Sequence, residues 1–367
     1  MWDLRPVSKV SSKQARVALF ILKLPFSTNT HYYVGIDIAK ASLDWAVYAT
    51  KGIILQSTTP NSVSGIKTAL RLLKALPDWH PQQVVFCREH TGIYNAHLLD
   101  FLHKLHLPIW LEGSLQIKKA GGLQRGKTDA IDAQRIAEYA YRFRDQLRLW
   151  QPPRQVAQQL SLLSATRQRL IQVYNQLAVP LNEQQSFVNP SLQKQLQKSC
   201  KASLAALERD RQAIDQAIDQ LIQSDTHLKE LFALMTSVPG IGVTTATEVM
   251  VATNELKTIS DPKKMACHAG VAPFECKSGS SVRGRTAVSQ HARKRLKSLF
   301  HLAAMSAIRV KGELQDYYQR KVKEAVPRRD KNKMLVLNAV RNKLIHRLYA
   351  VVARGEKYDK FYSLPVV

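Results

Sequence analysis

Cysteine is scarce in this sequence: four occur among 367 residues, and no two of them form a Cys-x-x-Cys pair. This scarcity argues against a zinc ribbon and a disulfide framework, and it favours a reducing cytoplasm as the location. Long apolar runs are lacking too. The best early run, at 17–26, is shorter than the roughly 18 residues of a membrane span, contains Lys23 and precedes no small-residue cleavage site. We therefore expect neither a membrane protein nor a secreted one.

Acidic residues are also in short supply. There are 28 Asp and Glu against 54 Lys and Arg, so the formal net charge is +26, and 16 of these surplus charges lie between Lys263 and Arg347. Clustered Lys and Arg attract polyanions, which makes nucleic acid the first candidate partner and an anionic membrane surface the second. With 45% hydrophobic residues the chain can build cores, and its length predicts two or three globular domains.

Changes in residue pattern divide the chain into five parts. Apolar strands at YYVGIDIA, SLDWAVYA and IILQSTT predict a β-meander, and the alternating helices and strands after it predict an α/β domain. Beyond Pro152 and Pro153, leucines recur at three- and four-residue steps, which predicts a long helical hairpin or coiled coil, broken near Asn189, that serves as a spacer or a dimerisation arm. The remainder is mostly helical by pattern. The predicted parts are a basic leader at 1–30, an α/β domain at 31–150, a helical arm at 151–232, a C-terminal domain at 233–353 and a tail at 354–367.

Four acidic residues stand where α/β domains place ligand-binding groups. Asp37 ends the first apolar strand, Glu89 ends the strand QQVVFCRE, and Asp129 and Asp132 lie three residues apart on one predicted helix. Four converging carboxylates repel unless cations neutralise them, and hard oxygen ligands suit a pair of Mg²⁺ ions that clamp a phosphoryl transfer. Taken singly, Asp132 fits a solvated helix position, and Thr128 or Asp129 fits a helix cap. As an ordered set, the four favour a metal site in a ribonuclease-H-like domain.

A glycine-rich basic segment precedes the acidic helix. Such a segment can approach a phosphate backbone closely and offset its charge, although a surface loop without a ligand has the same composition. The candidate nucleic-acid-binding residues in this segment are Lys118, Lys119, Arg125 and Lys127.

The C-terminal part holds two further candidates. SVPGIGVTTATEVM predicts two helices joined by a tight turn, with Thr244 or Thr245 capping the second; the turn either presents outward N–H groups to a phosphate or merely connects the helices. HAGVAPFECKSGSSVRGR predicts a basic loop in which a serine attacks a phosphodiester or hydrogen-bonds within a turn. The pattern does not choose among Ser278, Ser280 and Ser281. The surrounding residues that we expect to bind nucleic acid are Lys277, Arg283, Arg285, Arg293, Lys294, Arg295 and Lys297.

Together these segments resemble one family. In chain order, YVGIDIAKASLDWAV, REHTGIYNAHLLDFL, KTDAIDAQRIAEYA, SVPGIGVTTATEVMVAT and HAGVAPFECKSGSSVRGR are similar to the DEDD transposases of bacterial insertion sequences, the insertion-sequence one-ten family of bridge-RNA-guided DNA recombinases. The similarity runs from about Tyr33 to Ile308. It implies a ribonuclease-H/RuvC-like α/β domain, a coiled-coil arm, and a mostly helical C-terminal transposase domain with a helix-hairpin-helix. The leader at 1–30 and the absence of a glycine from SQHARKRLK depart from the family pattern.

The resemblance also implies a chemistry. Ser278 matches the family's serine nucleophile, which forms a 5′-phosphoserine link to DNA. Active sites in this family are composite, so the acids of one subunit would face the serine of another within a dimer or tetramer. A noncoding bridge RNA would select donor and target DNA by base pairing, which leaves the protein to bind the backbone and suits a chain with 7% aromatic residues. The residues that match the DEDD acids, and would coordinate two Mg²⁺ ions, are Asp37, Glu89, Asp129 and Asp132.

The sequence therefore predicts a Mg²⁺-dependent DNA transposase or recombinase that acts in the bacterial cytoplasm, at the nucleoid. Two other functions are consistent with the same residues. One is a metal nuclease or junction resolvase in which water attacks the phosphodiester. The other is a non-catalytic scaffold that binds DNA and RNA through its basic surface.

Overall fold

The structure is a computed structural model that describes residues 31–90, 92–122, 126, 128–278, 282–324 and 329–359, except for the side chains of 276–287 and 329–332. The predicted leader at 1–30 and the predicted tail from Lys360 onward lie outside the described residues. The chain divides into two compact units, with the division between Pro152 and Pro153. No helix in the described ranges is long and apolar enough to span a membrane.

The first unit is built on a five-stranded mixed sheet in the order β3-β2-β1-β4-β5. Its strands are β1 (Tyr32–Ile38), β2 (Ser42–Ala49), β3 (Gly52–Pro60), β4 (Val84–Glu89) and β5 (Ile109–Glu112). Its helices are α1 (Val63–Lys74), α2 (Ala96–Lys104), α3 (Ser114–Ala120) and α4 (Asp129–Arg142). The first three strands pair antiparallel as the predicted meander, whereas β1, β4 and β5 run parallel, so the predicted α/β domain is confirmed.

Alternation along the strands sends side chains to two separate cores. Val34 and Ile36 of β1 pack on one face of the sheet, with Ile66 of α1 and Leu98 of α2. The opposite face carries Tyr33, which packs in a cluster with residues of α4. Because successive strand residues point to opposite faces, Gly35 and Asp37 share the α4 face with Tyr33.

The second unit begins with a helical hairpin of α5 (Gln155–Glu183) and α6 (Pro190–Ser224). The two helices run antiparallel. Arg167, in the first half of α5, forms an ion pair with Asp215, in the last third of α6. Near the other end of the hairpin, the Gln193 side chain at the start of α6 donates to the carbonyl of Leu181 at the end of α5. The break falls where the sequence predicts it, because the Asn189 side chain caps α6. The hairpin is thus confirmed, and coiled-coil packing stays a prediction.

The rest of the second unit is mostly helical, as predicted. Its elements are α7 (Thr226–Thr236), α8 (Val243–Thr253), α9 (Pro262–His268), β6 (Pro273–Ser278), β7 (Val282–Val288), α10 (Lys294–Ala307), α11 (Glu313–Glu324) and α12 (Arg329–Arg354). Leu160 and Ile222 of the hairpin are buried in one core with Met250, Phe300 and Leu344. The base of the arm therefore folds as part of the C-terminal helices.

Candidate active site

The acidic site begins at the ends of β1 and β4. These strands are parallel neighbours in which Ile36 pairs with Arg88, so Asp37 and Glu89 follow side by side at one edge of the sheet. Cys87 packs on the α4 face, and strand alternation places Glu89 on that face too. Both carboxylates therefore point toward α4, as the sequence analysis requires of a shared site.

Helix α4 supplies the other two acids. It begins at Asp129 because the Thr128 side chain accepts a hydrogen bond from the Ile131 N–H at 3.3 Å, which confirms the predicted cap. Asp129 and Asp132 occupy its first turn. Ala133, which follows Asp132 directly and Asp129 by four residues, is buried against the sheet. The first turn of α4 is therefore directed at the sheet edge that carries Asp37.

Gly35 sets how closely α4 approaches. A Cβ at this position would lie 2.2 Å from the carbonyl oxygen of Ala133 and 2.3 Å from the nitrogen of Ala137, closer than any real Cβ contact. Only glycine lets the helix backbone rest against β1 at this point. Because Gly35 precedes Asp37 by two residues on the same face, this contact also sets the distance between Asp37 and the acids of α4.

The four predicted acids interact electrostatically. Burial raises the pKa of Asp37 to about 6, and the negative charges of Asp129, Asp132 and Glu89 add to the increase. A carboxylate whose charge is opposed by three others gains most from a bound cation. Asp132 also forms an ion pair with Arg135 at 2.8 Å. We call the four residues the acidic edge.

The acidic edge has the donor chemistry of a Mg²⁺ site, because all of its ligand atoms are hard carboxylate oxygens. Among the described residues, no three His, Cys, Asp or Glu side chains are grouped closely enough to hold a metal ion as they stand. The carboxylates therefore have to move closer together to share an ion. Burial, and after it the charges of the neighbouring acids, raise the pKa of Asp37, so a bound cation would favour its charged form.

Two further acids, neither of them predicted from the sequence, lie beside the acidic edge. Glu112 ends β5 directly opposite Glu89, and it accepts hydrogen bonds from Tyr139 at 3.2 Å and from the Gly113 N–H at 2.8 Å. Asp44 pairs with Asp37 across β1 and β2, is buried, and accepts a hydrogen bond from Thr58 at 2.6 Å. The position of Glu112 at a strand end was the available signal. For Asp44, only its pairing with β1 places it there.

The positive charge of Arg88, on the opposite face of the sheet, offsets part of this negative charge. Its side chain is fully buried, and its Nε donates to the carbonyl oxygen of Glu89 at 2.7 Å. Burial lowers the pKa of Arg88 to about 10, although the charges of Asp37 and Glu89 act in the opposite direction. The guanidinium remains charged at neutral pH and helps to hold the backbone at Glu89.

The basic segment before α4 is only partly described. Lys118 and Lys119 are exposed in the last turn of α3, so they belong to a helix rather than to the predicted loop. Arg125 and Lys127 lie outside the described residues. Lys118 and Lys119 face solvent, and their role in nucleic-acid binding stays a prediction.

The serine segment forms a β-hairpin and not the predicted loop. Strands β6 and β7 pair antiparallel, with Lys277 opposite Arg283 and Ser278 opposite Val282. Ser278 is the last residue of β6, at the tip of the hairpin. Backbone pairing makes these strands, whereas their side-chain sequence has no regular apolar alternation. Ser280 and Ser281, together with the side chains of Lys277, Ser278, Arg283 and Arg285, lie outside the described part of the chain.

The basic residues that start α10 have different surroundings. Arg293 and Lys294 are exposed, and Lys297 is half-buried. Arg295 instead forms an ion pair at 2.9 Å with Glu248, a buried residue of α8 that also accepts a hydrogen bond from Ser164 of α5. Arg295 thus links α10 to α8, a structural role in place of the predicted contact with nucleic acid.

The turn before α8 differs from its prediction in one respect. The predicted caps Thr244 and Thr245 are wrong: Gly242 is the N-cap residue, no side chain caps the helix, and Thr245 is buried. Gly240, at a φ of 88°, packs against α10, where a Cβ would lie 2.3 Å from the carbonyl oxygen of Ala303. One glycine of the turn therefore faces inward, while Gly242 and Val243 are exposed.

Comparisons with known proteins point to one family. A DEDD-type profile described as "Transposase" matches residues 34–190, and the "Transposase IS116/IS110/IS902 family" matches residues 233–319. The pilin gene-inverting proteins of Moraxella bovis and Moraxella lacunata are 24% and 25% identical over 331 residues, which is 89% of this chain and 98% of each relative. The uncharacterized 43.6 kDa protein of insertion element IS110 from Streptomyces coelicolor is 27% identical over 161 residues, covering 44% of this chain and 37% of that protein. Among solved structures, T. thermophilus RuvC in complex with a Holliday junction substrate matches at 16% identity with a TM-score of 0.26, covering 33% of this chain and 99% of RuvC.

Proposed function

This chain belongs to the IS116/IS110/IS902 family of transposases, and from that premise we propose that it cleaves and rejoins DNA strands of an insertion sequence by Mg²⁺-dependent phosphoryl transfer. The observation that carries the proposal is the acidic edge, where three separate elements bring four carboxylates within electrostatic reach of one another; burial chiefly, and the charges of the other three acids, raise the pKa of Asp37 to about 6. The strand order β3-β2-β1-β4-β5, with β2 antiparallel, supports assigning the sheet to the ribonuclease-H/RuvC-like class.

In this proposal the acidic edge holds two Mg²⁺ ions. When bound, the ions stabilise the charge that develops on the attacking and leaving oxygens of a phosphodiester. Asp37 and Glu89 provide ligands from rigid strand ends, and Asp129 and Asp132 provide them from the first turn of α4. Arg88 holds the backbone of Glu89 from the opposite side of the sheet.

Ser278 is the proposed nucleophile. Its Oγ attacks phosphorus and forms the bond to the 5′-phosphate, while the bond from phosphorus to the 3′-oxygen breaks. The serine proton passes to a carboxylate of the acidic edge, and the leaving 3′-oxygen takes up a proton. In the rejoining step, the 3′-hydroxyl of a second strand attacks the phosphoserine and releases the serine. The resemblance of HAGVAPFECKSGSSVRGR to the family's serine segment supports this assignment.

The partners in this proposal are donor and target DNA, a noncoding bridge RNA and further copies of this chain. The acids of one subunit would act on the serine of another, in a dimer or tetramer held by the helical arm. The two relatives that match over most of both chains are called gene-inverting proteins, and inversion requires strands to be both cut and rejoined. That requirement supports a recombinase over a nuclease.

Replacement of Ser278 by Ala tests the proposal. With a radiolabelled donor DNA and Mg²⁺, the wild-type protein should retain label after denaturation, whereas Ser278→Ala should retain none and should not excise the element. Ser280→Ala and Ser281→Ala are matched controls from the same hairpin and should keep the adduct.

Other outcomes favour the alternatives. Cleavage without any adduct would indicate a metal nuclease that uses water. DNA and RNA binding that survives Asp37→Ala, with no Mg²⁺-dependent activity in the wild type, would indicate a scaffold. Loss of the adduct in Ser280→Ala or Ser281→Ala alone would move the nucleophile to that serine.

A further inference from the structure

A cavity of about 330 Å³ lies within the second unit, between the arm helices and the start of α8. Three helices meet around it: α5, α6 and α8. Six of its eight lining residues carry polar side chains, although most of the exposed lining surface is apolar. The residues that line it are Ser164, Arg167, Asp215, Ile218, Asp219, Val243, Thr244 and Thr247.

The N-terminus of α8 opens at this cavity. The helix has 11 residues, its N-cap is Gly242, and no side chain caps it. The first N–H groups of a helix have no partner within the helix, and they carry the positive end of its dipole. Gly242 and Val243 are exposed, so the start of α8 lies at the surface of the second unit. Such a helix start favours an anion.

Thr247 is a second and independent indication of a ligand. Its side chain is 3% exposed, and among the described residues its hydroxyl has no hydrogen-bond partner. Buried hydroxyl groups are normally paired, because an unpaired one destabilises the folded state. A ligand in the cavity that accepts a hydrogen bond would remove this penalty.

Arg167 adds a positive charge from the arm. Its Nε donates to Asp215 at 2.5 Å, and within the described residues its two terminal nitrogens make no hydrogen bond. Asp215 is further neutralised by Arg211 at 2.6 Å. Burial lowers the pKa of Arg295, and the charges of Arg167 and Arg293 lower it further against the opposing effect of Glu248, so arginines of α5 and of the start of α10 lie near one another.

One residue acts against an anion in the cavity. Asp219 is exposed at the rim, and no ion pair of its carboxylate is described. Its charge weakens the attraction without blocking the site. This opposition offers a gain-of-binding test, since removing the carboxylate should tighten the binding of an anion and loosen that of a cation.

We propose that this cavity binds a phosphodiester group of a nucleic-acid backbone, held by the first N–H groups of α8, the Thr247 hydroxyl and the Arg167 guanidinium. The inference rests on the proposed function, in which the chain acts on DNA with an RNA guide. It gives the arm a direct role in holding nucleic acid, beyond that of a spacer or a dimerisation element. The bound strand bridges α5 and α8 and thereby locks the base of the arm to the helices beside the serine hairpin.

The test uses the full-length protein, a fluorescein-labelled random-sequence DNA duplex and a labelled RNA of the same length. Arg167→Gln should weaken binding about tenfold and reduce the salt dependence by the equivalent of about one phosphate contact. Thr247→Val should weaken binding about fivefold, the factor of one hydrogen bond. Asp219→Asn should tighten it about threefold. The control is Arg169→Gln, which removes the same charge from an exposed position of α5, two residues from Arg167, and should change binding about twofold at most.

Thermal unfolding without nucleic acid shows whether a variant binds less tightly because it is less stably folded. Thr247→Val should melt at the same temperature as the wild type or higher, because it removes an unpaired buried hydroxyl. The two probes show whether DNA or RNA supplies the phosphate.

The proposal is overturned if Arg167→Gln and Arg169→Gln bind alike and Thr247→Val binds as the wild type does. It is also overturned if Asp219→Asn weakens binding. A wild-type protein that binds neither probe would refute the proposed function itself.

Discussion

Replacement of Gly35 by Ala tests whether the contact between β1 and α4 sets the geometry of the acidic edge. The new methyl group would lie 2.2 Å from the Ala133 carbonyl oxygen, and an ordinary contact begins at 3.4 Å. The atoms in its path belong to the helix backbone and cannot rotate away. The helix must therefore retreat from the sheet by about 1 Å, which costs about 1–3 kcal/mol of stability as an overpacked contact.

The consequence for metal binding is larger than the consequence for folding. Ligand atoms of Mg²⁺ stand about 2.0–2.1 Å from the ion, and a site tolerates deviations of about 0.2 Å. Because the four carboxylates already have to move closer together to share an ion, a further shift of about 1 Å, several times that tolerance, adds to the distance that Asp129 and Asp132 must cover. We expect the folded Gly35→Ala protein to need at least about tenfold more Mg²⁺ for strand cleavage, a factor that corresponds to about 1.4 kcal/mol of binding free energy.

The assay is a Mg²⁺ titration of donor-DNA cleavage, together with urea unfolding of the metal-free protein. Gly113→Ala is the control, because Gly113 lies at the same edge of the sheet, has a φ of −72°, and would place a new Cβ with no other atom within 4 Å of it. It should leave the Mg²⁺ midpoint unchanged. If Gly35→Ala loses stability but keeps the wild-type Mg²⁺ midpoint, the approach of α4 does not set the spacing of the acids.

Two other predictions concern the same site. The pKa of Asp37 is raised from 3.8 to about 6 in the folded protein, so ionisation of Asp37 lowers the unfolding free energy as pH rises from about 4 to 6. In EDTA, Asp37→Asn should therefore melt at a higher temperature than the wild type at pH 8 and show no such gain at pH 3.5. Added Mg²⁺ should raise the melting temperature of the wild type alone. An Asp37→Asn protein that melts below the wild type at pH 8 would contradict the electrostatic argument. Thr128→Ala should lose about 0.5–2 kcal/mol in urea unfolding, because the cap of α4 is lost, and Thr128→Ser should retain most of it. Equal stability of the Ala and Ser variants would show that the cap contributes nothing.

Much of the first unit and of the helical arm could be predicted because their signals are local. The meander follows from strand alternation, α4 starts where Thr128 can cap it, and the arm breaks where Asn189 can cap α6. Each of these features depends on residues a few positions apart. The hairpin of β6 and β7 was missed for a related reason: its strands are held by backbone pairing, which leaves no apolar period in the sequence.

Family membership and the order of the candidate residues were contained in the sequence, since motifs and their spacing are properties of the chain itself. The fold alone decided how far apart those residues lie. Gly35 became a packing contact with Ala133 only when α4 crossed β1, and Arg295 became an ion-pair partner only when α10 met Glu248. Distances between elements depend on how segments far apart in the chain pack, and residues that are neighbours in the sequence do not determine such packing. For that reason, the acids could be named from the sequence, while their mutual repulsion, the inward face of Gly240 and the unpaired hydroxyl of Thr247 required the tertiary structure.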